Sequence, residues 1–223
     1  MRANQRVSSQ SIKSTILAFH KPMESDRNHR YRSWEHCYSY FTKPINEIDN
    51  DYACLHLAFY LASWGMYRGS SDLLQKDYLI HREVVKEIIA HRHLIGINFI
   101  QDKEGVIREI FDLIKNIRKH YQKAMKEVRE KKRGKPFVAT DTLVTKILLG
   151  TLGCAPAYDQ YVIKGMRMNE IKKIKYSGLK EPGLGKVAQF YLDHRVEIDQ
   201  AGQEISSKSG VPYPPMKLVD MYF

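Results

Sequence analysis

The chain has 223 residues, of which 43% are hydrophobic and 27% are charged, a composition typical of a soluble globular protein with a sizeable core. No apolar run approaches the roughly 18 residues that a membrane span needs, and the N-terminal stretch lacks the apolar region and cleavage site of a signal peptide. Three scattered cysteines without a CxxC pair argue against a disulfide framework and a cysteine zinc site. We therefore expect a cytoplasmic protein without membrane contact.

Positive charge is concentrated in three stretches of the chain, whose formal net charge is +11. Residues 1–33 carry seven Lys/Arg against two acids, residues 118–135 nine against two, and residues 164–180 six against one. Such clusters favour a polyanionic partner, of which nucleic acid is the commonest. The alternative explanation of each stretch is a solvated helix face or a disordered turn.

Helical periodicity recurs along the chain and strand signals are nearly absent, which predicts an all-α fold of nine or ten helices in an irregular bundle. A first helix spans about residues 9–20 and is expected to stop before Pro22. Residues 51–66 are apolar nearly all round, which predicts a buried central helix. Between them, a second helix carries an aromatic stripe that is expected in the core: Tyr31, Trp34, Tyr38 and Phe41.

The later part of the chain is also predicted to be helical. One helix is expected over about residues 185–206, and a proline-rich turn precedes a last helix from Met216. The basic junction EKKRGKPF is the best candidate for a boundary. It divides the chain into an N-terminal helical bundle, residues 1–134, and a C-terminal helical region, residues 135–223, which we expect to pack as one unit.

Two short parts of the chain bear on other chemistries, namely metal binding and RNA cleavage. Glu83, Glu87 and His91 share a helix face, but a di-metal site in a bundle needs two Glu-x-x-His units, so no metal and no other cofactor is expected. The stretch RYRSWEH, which ends at His36, is similar to the loose Arg–His spacing of HEPN ribonucleases. There an arginine would hold phosphate while the histidine moved a proton.

The stretch DTLVTKILLGTLGCAPAYDQYV, residues 141–162, is an apolar helix followed by a Cys-Ala-Pro-Ala break and a single aspartate, Asp159. A carboxylate at the start of the next helix can steady a developing positive charge or orient a water molecule. Lys146 would flank it, and Arg68 could lie at the mouth of a cleft. Asp159, Lys146 and Arg68 are therefore the candidate catalytic residues, and capping of its own helix is the alternative role of Asp159.

This stretch resembles the part of helix-hairpin-helix DNA glycosylases in which an apolar helix is followed by a proline-containing turn and an aspartate. The resemblance covers about 25 residues and implies that Asp159 faces a pocket for an extruded base and supports its loss. Those enzymes have a Gly-x-Gly hairpin just before the apolar helix. In this chain the aligned residues, 138–140, are Val-Ala-Thr and contain no glycine. A later Pro-Gly-x-Gly, with Gly183 and Gly185 followed by Lys186, could instead cradle a phosphate at a helix start.

A second resemblance concerns the fold alone. The Lys-x-Leu-Leu…Pro-x-Tyr-Asp pattern, which runs from Lys146 to Asp159, and the late MKLVDMYF are similar to a group of bacterial all-helical proteins of uncharacterised activity. This similarity supports the all-α prediction and implies no particular chemistry.

The sequence therefore predicts a protein that binds nucleic acid, DNA in preference to RNA. Most contacts are expected between lysine side chains and the phosphate backbone of the nucleic acid. The candidate nucleic-acid-binding residues are Lys126, Arg129, Lys131, Lys132, Arg133, Lys135, Lys172, Lys173, Lys175, Gly183, Gly185 and Lys186. One alternative is a glycosylase-like or nuclease enzyme that acts on DNA or RNA with Asp159 as the catalytic carboxylate. The other is a non-catalytic subunit that docks an acidic protein partner.

Overall fold

A computed structural model of the chain describes residues 11–68, 71–126, 137–168 and 179–223. Ten α-helices and no strand lie within these ranges, which confirms the all-α prediction. The helices are α1 (Ile12–Ser25), α2 (Arg32–Phe41), α3 (Asn50–Ser63), α4 (Arg82–Ala90), α5 (Lys103–Ala124), α6 (Asp141–Thr151), α7 (Gln160–Met168), α8 (Glu181–Asp193), α9 (Arg195–Ser209) and α10 (Pro215–Tyr222).

Side-chain caps determine where several helices begin. The Asp49 carboxylate accepts two backbone N–H groups of the first turn of α3, both at 2.9 Å. Asp102 accepts an N–H at the start of α5, and the Thr140 hydroxyl accepts one at the start of α6. Each cap satisfies a donor that has no partner inside its own helix.

Two helix boundaries differ from the sequence prediction. Pro22 lies inside α1 instead of after it, because His20 and Met23 on either side are buried where α1 packs on α9 and α10. The helix predicted at residues 185–206 is divided at His194, whose backbone leaves the helical region with φ −115° and ψ 18°. No glycine or proline marks that position in the sequence.

The prediction of a buried central helix at residues 51–66 is not confirmed. One face of α3 packs against α2, but Tyr52, Leu55 and Phe59 on the opposite face are exposed. The helix that is buried at every position from Leu143 to Thr151 is α6, which contacts α2, α3 and α5. An apolar composition therefore indicates full burial correctly for α6. For α3 it is correct for one face of the helix only.

Close contacts hold α6 in the core. The indole N–H of Trp34 on α2 donates to the carbonyl of Leu149 on α6 at 2.9 Å. Gly150 lets α6 approach α3 so closely that a Cβ at this position would lie 2.3 Å from Cε1 of Tyr60, whose side chain is fully buried. None of the helices in the described ranges combines the length and apolar character that a bilayer span needs.

Gly150→Ala is expected to lower the free energy of unfolding by about 1–3 kcal/mol, because the added Cβ would overlap the fully buried ring of Tyr60. Gly185→Ala on α8 is the matched control, since its added Cβ would meet only Cδ1 of Ile107 at an ordinary 3.6 Å. The control should be neutral or up to about 1 kcal/mol stabilising, because alanine favours helix. Urea denaturation measures both, and equal effects would contradict the packing described.

Candidate functional site

A cavity of about 730 Å³ opens beside the starts of α6 and α7. Its walls come from the end of α3, the chain near Arg68, residues 137–143 and the first turn of α7. The three predicted catalytic residues, Arg68, Lys146 and Asp159, all line it. Small-molecule sites in proteins have volumes of roughly 300–1,000 Å³, so this cavity is large enough to hold a ligand.

Asp159 caps α7 and also faces the cavity. Its Oδ1 accepts the backbone N–H groups of Tyr161 and Val162 at 3.0 and 3.2 Å. Its Oδ2 lies 3.6 Å from Nζ of Lys146, and 19% of the side chain is exposed. The two roles that the sequence suggested for this aspartate are therefore compatible, since each uses a different oxygen.

Lys146 is a buried cation on the most buried helix, with a side chain that is only 7% exposed. Its ammonium donates to the carbonyl of Trp64 at 3.1 Å and lies 5.5 Å from the centre of the Trp64 ring system. Burial lowers the pKa of the Lys146 ammonium, and the neighbouring carboxylates of Asp159 and Asp220 oppose that shift. The lysine is therefore held by one carbonyl, one aromatic face and one carboxylate.

A second buried ion pair, which the sequence analysis missed, lies behind the first. Nζ of Lys217 is 3.1 Å from Oδ2 of Asp220, and the side chains are 3% and 8% exposed. Burial raises the pKa of the Asp220 carboxyl, while Lys217 and the N–H of Ala157 oppose the shift. A lysine and an aspartate three residues apart in the otherwise apolar MKLVDMYF were the signal that could have revealed this pair.

The two ion pairs share an aromatic partner. Nζ of Lys217 lies 5.3–5.5 Å from the ring centres of Phe19, Trp34 and Trp64. Its positive charge adds to the lowering of the Lys146 pKa, so the two ammonium groups are electrostatically coupled. Two ammonium groups thus lie beside the Trp64 ring, and each has an aspartate as its partner.

Asp220 also fixes the break before Asp159. Its Oδ1 accepts the backbone N–H of Ala157 at 2.9 Å. On the other side of the break, the hydroxyl of Thr145 on α6 accepts the N–H of Tyr158 at 2.8 Å. The Cys-Ala-Pro-Ala stretch is therefore attached to both α10 and α6, and this attachment positions the first turn of α7 at the cavity.

The Pro-Gly-x-Gly motif lies at the start of α8, within the helix itself. Gly183 and Gly185 belong to α8, and the N–H of Gly183 donates to the carbonyl of Lys180 at 2.8 Å. Neither glycine lines the cavity described above. Gly185 lies beside Ile107 of α5, where α8 packs on that helix.

Most of the predicted phosphate-binding residues lie outside the described ranges. Lys126 is described and exposed just after α5, and Lys186 lies on α8. The residues outside the described ranges are Arg129, Lys131, Lys132, Arg133, Lys135, Lys172, Lys173 and Lys175.

The structure gives structural partners to Arg32, one of the two arginines in the HEPN-like stretch RYRSWEH. Arg32 pairs with Glu35 at 3.0 Å and donates to the carbonyl of Met23, and these contacts connect α2 to the end of α1. Throughout the described part of the chain, no three His, Cys, Asp or Glu side chains are grouped so that they could hold a metal ion.

Comparisons of the chain with protein-family models, with curated proteins and with solved structures return no match. The resemblance to helix-hairpin-helix glycosylases therefore stays a prediction, and the site has to be interpreted from its own geometry.

Proposed function

We propose that this protein binds nucleic acid, DNA in preference to RNA, and that the cavity around Asp159 is where the ligand meets the folded core. The observation that carries the proposal is the arrangement of Arg68, Lys146 and Asp159 on one cavity of about 730 Å³. These residues come from three separate parts of the chain, and the fold brings them together.

The distribution of charge along the chain supports the same ligand class. The net charge of +11 favours a polyanion. The basic stretch of residues 118–135 ends two residues before Phe137, and Phe137 lines the cavity. Lysine and arginine contacts to phosphates are independent of base sequence, so we expect binding that reads little sequence.

A second candidate function is catalysis by Asp159, as in the glycosylase-like or nuclease alternative. It is favoured by a specific feature of the site: a carboxylate that is paired with a buried ammonium and still partly exposed to the cavity. A carboxylate placed in this way can stabilise positive charge that develops on a sugar when a base is lost. A subunit that docks an acidic protein is supported by the net charge alone.

The binding proposal predicts a strong dependence on salt. Affinity for a random duplex of 20 base pairs should fall about 100-fold or more between roughly 50 and 200 mM salt, because several phosphate contacts release counterions. Fluorescence anisotropy with a labelled duplex measures this fall.

Lys126→Ala should reduce the slope of log affinity against log salt by about one. Arg108→Ala, which alters an exposed arginine on α5, is the control. A wild-type affinity for the duplex that changes less than about twofold over this range of salt would overturn the proposal.

The catalytic candidate predicts a loss of activity in Asp159→Asn. Asparagine caps a helix about as well as aspartate, so Asp159→Asn should still fold, with a lower free energy of unfolding because Lys146 loses its carboxylate partner. Release of a base or strand scission should fall at least about 100-fold under conditions in which circular dichroism shows the variant to be folded. The wild-type chain is first incubated with damaged duplex, single-stranded and RNA oligonucleotides to find the substrate. Asp112→Asn, an exposed aspartate on α5, is the control. Full activity in Asp159→Asn would exclude this role, and no wild-type activity on any substrate would favour the subunit.

A further inference from the structure

The mouth of the cavity has an exposed aromatic ring. Tyr161 lies in the first turn of α7, two residues after Asp159, and lines the cavity with 71% of its surface exposed. Among the described residues its ring stacks on no other aromatic ring, in contrast to Tyr31, which stacks on Phe19 and Trp64. A phenol ring in this position offers a flat surface to a planar ligand.

The same cavity is lined by hydrogen-bond donors that the described residues leave unused. Arg68 is exposed and makes no ion pair within the described ranges. The hydroxyls of Ser71 and Thr140 each accept a backbone N–H at 3.2 Å, and neither donates its hydrogen to a described residue. A guanidinium and two hydroxyl donors suit the oxygens of a phosphate.

Two of the carboxylates that line the cavity are already neutralised. Asp141 pairs with Arg118 and accepts the backbone N–H of Leu179 at 2.9 Å. Asp159 pairs with Lys146. Their repulsion of an anion is therefore reduced. The third carboxylate of the lining, Asp72, forms no ion pair with Arg68 in the described part of the chain.

We infer that this cavity binds a nucleotide, with the base stacked on Tyr161 and the phosphate held by Arg68 and the hydroxyls of Ser71 and Thr140. The inference rests on the proposed function because it uses the same cavity. The nucleotide can be free in solution or can be one unit of a nucleic acid strand, and the two sources present the same chemistry to the site.

The test is a titration of the full chain with deoxyadenosine monophosphate, deoxyadenosine and inorganic phosphate. Trp64, which lines the cavity, is the fluorescence reporter, and the other tryptophan, Trp34, is buried in the core. The monophosphate should bind saturably, and the nucleoside and phosphate should each bind at least about tenfold more weakly, because each keeps only one of the two contacts.

Variants separate the two contacts. Tyr161→Ala and Arg68→Ala should each weaken binding of the monophosphate about tenfold, while Tyr161→Phe, which keeps the aromatic face, should stay within about twofold. Tyr52→Ala and Arg108→Ala, which alter an exposed tyrosine and an exposed arginine outside the cavity, are the controls. No binding of the monophosphate, or equal binding by Tyr161→Ala and the wild type, would overturn the inference.

Competition identifies the source of the nucleotide and keeps this inference distinct from the proposed function. Displacement of the monophosphate by a single-stranded oligonucleotide would show that the site accepts one unit of a strand, which supports both proposals. Binding of the monophosphate without any binding of nucleic acid would support the nucleotide site and overturn the proposed function. Binding of nucleic acid without binding of the monophosphate would overturn the nucleotide site alone.

Discussion

Two lysines, Lys146 and Lys217, are buried around the ring of Trp64, and each is paired with an aspartate. Removing a charge from water is unfavourable unless a partner of opposite charge is placed correctly, and loss of one partner from a buried pair typically costs about 3–5 kcal/mol. The helices that carry these four residues therefore have little freedom to shift. We regard this constraint as the one on which the geometry of the site depends.

The constraint explains why Asp159 lies at the cavity. Asp220 holds the N–H of Ala157, Thr145 holds the N–H of Tyr158, and Lys146 pairs with the carboxylate itself. These contacts connect α10, α6 and α7 at the Cys-Ala-Pro-Ala break. Because one oxygen of Asp159 caps its helix and the other meets Lys146, the same side chain serves stability and leaves a charged group at the cavity wall.

Periodicity made the fold class and part of the core predictable. The aromatic stripe of α2 places Trp34, Tyr38 and Phe41 in the core, because side chains at helical spacing share a face. The sequence did not reveal that α6 is the central helix, since α3 and α6 are similarly apolar. Which of them is covered on all sides depends on tertiary contacts. The division of α8 and α9 at His194 also has no local signal.

The candidate site was predictable to a similar extent. Lys146 and Asp159 are thirteen positions apart in the sequence, and a helix followed by a tight break returns the chain far enough to bring them together. Arg68 is much earlier in the chain, and its place at the cavity was proposed from its position in a polar turn. The Lys217–Asp220 pair was missed, because a lysine in an amphipathic helix is usually at the surface, and only the partners around it make burial acceptable.

The most direct test of this account is a double-mutant cycle for Lys146→Met and Asp159→Asn, measured as free energies of unfolding in urea. Asn keeps the cap of α7, so the cycle isolates the interaction between the ammonium and the carboxylate. We predict that Asp159→Asn alone destabilises the protein, that the double variant recovers part of the loss, and that the coupling energy is about 1–3 kcal/mol. Additive effects with no coupling would show that Asp159 only caps its own helix, and would contradict the central role given to the buried charges.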